Sequence, residues 1–254
     1  MTDYDIVCIP DLQVPDHHLK FVKNLTAFIK DYQPAELCDV GDFYDFKTPA
    51  RWSKGYAEEY VPQLYGDIET GKVVARGFTD AVPNARRRRR MGNHDERVET
   101  YIKRYAPALD GHPALRYEAL VDAEGTGWEI YRQPFDLAPG WVCAHGHEGS
   151  LNQTAGLTAL GLARKLGKSV VCGHTHRAGL VAESKGYSGK INSRLYGLEV
   201  GNGMDVRKAD YLKSGSGNWQ MAFGIIHVLG KKTFPELVYA DEQGRFFVEG
   251  AYYE

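Results

Sequence analysis

From Ile6 to Cys172 the chain alternates short apolar runs with polar turns. Ile6-Val7-Cys8-Ile9, Leu37-Cys38-Asp39-Val40, Trp141-Val142-Cys143-Ala144 and Ser169-Val170-Val171-Cys172 are too short for helices and rich in β-branched or small apolar residues. Each therefore predicts a buried strand bounded by a turn. Between the first two, Phe21, Val22, Leu25, Phe28 and Ile29 recur at helical spacing, which predicts a helix opening at Pro15-Asp16. A second amphipathic helix is predicted over 152–168, with Gly167 ending it. Gly224-Ile225-Ile226-His227-Val228 and Phe246-Phe247-Val248 predict antiparallel strands that complete a second sheet.

Two stretches break the pattern. Residues 43–80 carry Phe43, Tyr44, Phe46, Trp52, Tyr56, Tyr60 and Tyr65 among Arg51, Lys54, Glu58 and Glu59, and read as helical with breaks at Pro49 and Pro62. This insert is expected to cap a site, its aromatics either stacking a base or forming a small core. Arg86 to Arg90 occupy a place where a buried strand would carry Val or Ile, and alternation sends Arg86, Arg88 and Arg90 to one face. Three readings stand open. The strand lies at a sheet edge, its arginines meet acidic residues of another segment or subunit, or they bind a polyanion.

The turns after the apolar runs hold the candidate chemistry. In order they present Asp11, Asp42, Asn93, His145, and then His174 with His176. Carboxylate, amide oxygen and imidazole suit Mn, Fe, Zn or Ni, and a set without thiolate argues against a structural zinc cage. One such turn alone reads as an ordinary loop, and Asp95 reads as the N-cap of a helix beginning at Glu96. Several ligand turns following several strands read instead as loops converging on one rim.

The order Asp-x-Gln, Gly-Asp-x-x-Asp, Gly-Asn-His-Asp, His-Gly and Gly-His-Thr-His resembles the calcineurin-like metallophosphoesterase superfamily from Asp11 to His176, in the manner of its compact bacterial and viral members. The resemblance implies an α/β (α+β) fold, a two-sheet αββα sandwich with a dinuclear site at one rim. It assigns the first metal to Asp11, Gln13, Asp42 and His176, and the second to Asp42, Asn93, His145 and His174. It also makes His94 the catalytic histidine, with Asp45 as the carboxylate that orients it. Two divalent cations are implied, Mn²⁺ first, with Fe, Zn, Ni or Mg as alternatives.

Gln13 departs from the family's Asp-x-His. A neutral amide offers one oxygen and no imidazole lone pair, so the first metal is expected to bind more weakly. Gln13 ligates through its oxygen, water replaces it, or the site fills only with substrate. His17 and His18 are possible substitutes, or ordinary residues at a helix start.

Phe46-Lys47 follows Asp45, where the protein Ser/Thr phosphatase branch has Arg-Gly. The missing arginine favours a phosphodiester, of nucleic-acid or cyclic-nucleotide type, over a monoester. Arg97, Phe43 and Tyr44 are the candidate substrate contacts, Arg97 facing the phosphate or pairing with a glutamate on its own helix. The rival class is a binding or regulatory protein with a decayed metal site, for which Gln13 is the only sequence argument.

Composition bounds this picture. The 254 residues are 43% hydrophobic with a net charge of −2, which suits one substantial domain spanning 1–254 and offers no broad basic surface. No apolar run reaches membrane-spanning length, and the N-terminus is acidic, so a cytoplasmic setting, bacterial or that of a viral host, is expected. Cys8, Cys38, Cys143 and Cys172 lie on the strands without C-x-x-C spacing and read as small buried hydrophobes. An oligomer contact through 86–90 is a further expectation.

Overall fold

The computed structural model describes residues 3–50, 53–209 and 217–254. Arg51 and Trp52, part of the predicted insert, lie outside them. Strand β1 (Tyr4–Ile9) leads through α1 (Leu19–Tyr32) to β2 (Glu36–Asp39), α2 (Leu64–Ala81) and β3 (Arg86–Arg90). Helices α3 (Arg97–Tyr105), α4 (Tyr117–Leu120) and α5 (Ala123–Thr126) follow, then β4 (Glu129–Tyr131). The chain continues as β5 (Phe135–Ala138), β6 (Trp141–Cys143), α6 (Leu157–Leu166), β7 (Ser169–Cys172), β8 (Ala178–Tyr187) and β9 (Lys190–Val200). It closes with β10 (Ala222–Leu229), β11 (Lys232–Tyr239), β12 (Phe246–Val248) and β13 (Ala251–Tyr253).

Two large sheets form, ordered β11-β10-β1-β2-β3-β4 and β5-β6-β7-β9-β8, beside a two-stranded β12-β13 ribbon. β1 to β4 run parallel, as do β6, β7 and β9, while β10 and β11 pair antiparallel on the β1 side. The strands read as unbroken apolar runs because both faces are covered. Val7 and Ile9 meet Phe21, Leu25 and Phe28 of α1, whereas Ile6 and Cys8 point into an inter-sheet layer with Cys143, Val171 and Leu198. On the far side Val142, Val170 and Cys172 pack against Ala159, Leu160 and Ala163 of α6. The result is the expected αββα sandwich. All four cysteines are buried and free.

Several expectations change. Strands β10 and β11 extend the first sheet rather than the second, and β12 pairs only with β13, where Phe246 packs against Phe28. Helix α1 opens at Leu19, with the His18 ring accepting from the Phe21 amide as its N-cap, and α6 opens at Leu157. Helix α2 is no cap. It is the crossover between parallel β2 and β3, and it buries Ile68, Ala75 and Phe78 on the first sheet. Within the described insert Tyr56, Tyr60 and Tyr65 are exposed, while Leu64 packs against the core.

Strand β3 lies inside the sheet, between β2 and β4; four of its five arginines find carboxylates within the chain, and Arg87 donates to the Gly127 and Val82 carbonyls. Arg86 pairs with Glu129, Arg88 with Glu36, Arg89 with Asp39 and Arg90 with Glu148. Arg88 also caps the Asp136 and Leu137 carbonyls, and the Arg89 guanidinium lies 3.6 Å from the Phe43 ring centroid. Neither an edge nor a polyanion is needed to explain the run. The Arg88 guanidinium can be buried because its fixed fork finds an acceptor at each nitrogen, on Glu36 and on the Asp136 and Leu137 carbonyls.

Candidate metal centre

Asp11, Asp42 and Asn93 follow the C-terminal ends of β1, β2 and β3, while His145, His174 and His176 follow those of β6 and β7. Parallel strands of two stacked sheets therefore deliver six side chains to one rim. Gln13, Asp42, His174 and His176 all have left-handed backbones, with φ of 51°, 53°, 67° and 57°. Such conformations are uncommon for residues with a Cβ and persist where surrounding structure enforces them. The glycines have a different reason. A Cβ on Gly92 would collide with the Asp42 carboxylate, and one on Gly173 with that of Asp11.

The carboxylates are held by backbone. Asp11 Oδ2 accepts from the His174 amide at 2.8 Å, and Asp42 Oδ1 from the His94 amide at 2.7 Å. Asp42 Oδ2 is 3.1 Å from His145 Nε2, and ligating atoms of Asp42, His145 and His174 lie within 4.8 Å of one another. Gln13 Nε2 lies 3.0 Å from His176 Nε2, which is itself 3.6 Å from Asp11 Oδ2. Asp11, Gln13, Asp42, His145, His174 and His176 thus lie side by side, and Asn93 stands one residue before His94, whose amide meets Asp42.

The donor set fits divalent cations. Asp11 Oδ1, Gln13 Oε1, Asn93 Oδ1 and His176 Nδ1 are buried with no hydrogen-bond partner in the protein, although such atoms are normally satisfied. Burial, with the nearby Asp42 charge, pushes the Asp11 carboxyl well up. At His145 burial disfavours the imidazolium, but Asp42 and Asp11 outweigh it and hold the pKa up at about 10. Positive charge is drawn to this spot. Burial lowers His174 to about 4 and His176 to about 3, leaving neutral rings with lone pairs to give. The His145 Nδ1 proton goes to the Val40 carbonyl at 3.0 Å, which fixes the ring with Nε2 towards Asp42.

His94 sits beside this cluster. Its Nδ1 is 2.6 Å from Asp45 Oδ1, and its Nε2 is 3.0 Å from Arg97 Nη2 and 3.8 Å from Asp42 Oδ2. Arg97 also donates through Nη1 to the Asp45 carboxylate at 2.8 Å and carbonyl at 2.6 Å. Burial opposes ionisation of Asp45, yet His94 and Arg97 hold its pKa below the usual carboxylate range. Among the described residues Arg97 pairs with Asp45 and with no glutamate of its own helix.

Two expected substrate contacts fail. Phe43 and Tyr44 are fully buried, with Tyr44 stacked on Phe46 at 5.0 Å and filling the space left by Gly71 of α2. They pack the core behind the site. His18 caps α1, and His17 is buried with its Nδ1 unpartnered in the protein.

Other residues went unread in the sequence. Asp95 caps no helix; its buried carboxylate accepts from the amides of Gly92, Asp42 and Tyr44 and from the Tyr117 hydroxyl. Glu199 accepts from the Thr175 hydroxyl and from two amides at the start of α6, anchoring the last histidine turn. His147 lies 5.3 Å from His145 between ring centroids, and Trp219 packs 4.4 Å from His176. The His-x-His spacing of His145 and His147 was the one available signal for any of these.

No family model matches the chain. Among solved structures it is similar to vacuolar protein sorting 29 from Cryptosporidium parvum, with 14% identity, TM-score 0.48 and coverage of 99% of this chain and 95% of that one. It is also similar to the phosphoesterase Yfce from E. coli, with 15% identity, TM-score 0.43 and 87% coverage of each. Among the described residues no helix is long and apolar enough to cross a membrane. The Gene 54 protein of Mycobacterium phage L5 is 36% identical over 255 residues, covering 98% of both chains. That of Mycobacterium phage D29 is 37% identical over 252 residues, again 98% of both, and the chain belongs to the family of these Gene 54 proteins.

Proposed function

We propose that the chain is a metal-dependent phosphoesterase acting on phosphodiesters of nucleotide or nucleic-acid type. The observation that carries this is the set of unpartnered, buried ligand atoms on Asp11, Gln13, Asn93 and His176, gathered beside the paired His94 and Asp45. Two cations, when bound, supply a water of lowered pKa and charge for the phosphoryl oxygens. Asp11, Gln13, Asp42 and His176 would hold one, and Asp42, Asn93, His145 and His174 the other.

The remaining work falls to the chain's own groups. Asp45 accepts a hydrogen bond from His94 Nδ1–H, which fixes the tautomer and directs Nε2 at the reacting centre; once freed from Arg97, Nε2 takes a proton from solvent and passes it to the leaving oxygen. Arg97 donates to that Nε2 in the arrangement described; a phosphate oxygen arriving there competes for the guanidinium and releases Nε2.

A second reading, phosphomonoester hydrolysis, is favoured by Arg97 itself. Its guanidinium reaches the site from α3 and offers a cation to a dianionic ester, although Phe46, after Asp45, is buried. Turnover of bis(p-nitrophenyl) phosphate against p-nitrophenyl phosphate with saturating Mn²⁺ decides between them. Diester preference, abolished by chelation, is expected. Monoester preference selects the second reading, and no turnover of either replaces both with a binding protein.

A further inference from the structure

Helix α3 begins just after the His94 turn and carries a face that these roles do not exhaust. Arg97, Thr100, Tyr101 and Arg104 stand at i, i+3, i+4 and i+7, on one side of the helix. With Tyr105 and Asn93 they line a cleft of about 240 Å³. The cleft thus joins a candidate metal ligand to about 10 Å of helix.

Its aromatic wall is held in place. The Tyr101 and Tyr105 ring centroids are 4.9 Å apart. The Tyr101 hydroxyl donates to Glu59 at 2.9 Å, Lys54 pairs with Glu59 at 2.8 Å, and the Lys54 ammonium lies 4.0 Å from the Tyr105 ring centroid. Arg104 lies 5.4 Å from the same ring and has no ion pair among the described residues. Flat rings beside guanidinium groups are what a base and a phosphate require. The volume falls below the roughly 300–1,000 Å³ of a drug-sized ligand's pocket, leaving room for one nucleoside and not for a strand.

We propose that this cleft is a nucleoside-phosphate subsite, with the base against Tyr101 and Tyr105 and a phosphate on Arg104, so that the preferred substrates are nucleotide phosphodiesters. The inference rests on the phosphodiesterase reading and narrows its substrate class.

The test compares the 5′-(p-nitrophenyl) ester of thymidine 3′,5′-bisphosphate, whose free 3′-phosphate is the group offered to Arg104, with bis(p-nitrophenyl) phosphate in the full chain with Mn²⁺. The ratio of kcat/KM for the two is expected to fall roughly tenfold in Tyr105→Leu and in Arg104→Ala, and to hold in Tyr105→Phe. Lys103→Ala, on another face of α3, keeps the wild-type ratio. An equal fall for both substrates, or no change, overturns the subsite. If wild type hydrolyses neither diester, the phosphodiesterase reading fails, and the cleft is judged by equilibrium binding of thymidine 5′-monophosphate in EDTA. Weakening of about tenfold in both disruptive variants upholds it; equal binding, or none by wild type, overturns it.

Discussion

Asp95 accepts the main-chain amide of Asp42 at 2.8 Å across 53 residues of sequence, with both carboxylates buried. One acidic side chain thereby sets the backbone of another. Burial, with the Asp42 charge, raises the Asp95 pKa to about 6, so the bond is carried by a carboxyl that is costly to ionise. Asp95→Ala leaves three amides and a tyrosine hydroxyl without their acceptor, at about 1–3 kcal/mol for each unsatisfied group. A loss of at least about 3 kcal/mol in urea unfolding is expected, with Asp95→Asn milder because one oxygen remains. Wild-type stability in the alanine variant would show that the network does not support the rim.

Gly173→Ala separates fold from ligand placement. The added methyl group collides with the Asp11 carboxylate while Gly173 itself does not need a left-handed backbone. Titration calorimetry with Mn²⁺ is expected to show the first-site binding event weakened by tenfold or more, with the circular dichroism spectrum kept. Unchanged binding would remove Asp11 from the ligand set.

His94 tests the division between holding metal and moving protons. His94→Ala is expected to lower kcat by about 10²–10⁴ while leaving bound metal per chain unaltered. Loss of metal along with turnover would make His94 a ligand.

Gln13→His replaces an amide beside His176 with an imidazole. Tighter binding of the first cation is expected in calorimetry. Equal affinity and stoichiometry would mean that Gln13 does not weaken that site.

A pH effect on stability arises far from the rim. His227 lies 2.9 Å from Asp5 and 3.3 Å from Glu236, with Glu249 close by, on the first sheet. Partial burial disfavours its charge, but the Asp5 and Glu236 carboxylates prevail and raise its pKa. A folded pKa above the unfolded value, about 6.5, gives stability that is complete below that pH and lost as pH rises through the folded pKa. His227→Gln is therefore expected to cost about 0.5–1 kcal/mol at pH 5.5 and nothing at pH 9, by urea unfolding. A pH-independent difference would point to packing instead.

The ligand turns were legible because glycine, carboxylate and imidazole in that order leave few other uses, and because the strands feeding them are buried on both faces. Asp95 was misread because an acidic residue before a helix looks the same as a cap whether its oxygens turn forward to α3 or back to Gly92 and Asp42. The arginine run was hard to place because its neutralising partners Glu36, Asp39, Glu129 and Glu148 are dispersed along the chain and meet it only through strand pairing and the inter-sheet layer. Phe43 and Tyr44 were sent to the substrate by their nearness in sequence to Asp42; the buried Arg89 guanidinium against Phe43 and the Gly71 gap filled by Tyr44, visible only in three dimensions, hold them inward. The polar face of α3 was present in the spacing of Arg97, Thr100, Tyr101 and Arg104, but it gains meaning only once Asn93 is seen in the same cleft.

The rim draws Asp11, Asp42 and Asn93 from one sheet and His145, His174 and His176 from the other. A cation held between them is a clasp across the sandwich, so prising the sheets apart and releasing the ion become a single event. Each tenfold rise in free metal above its dissociation constant then adds about 1.4 kcal/mol to the resistance of the whole fold. The sandwich becomes a gauge of the metal supply around it.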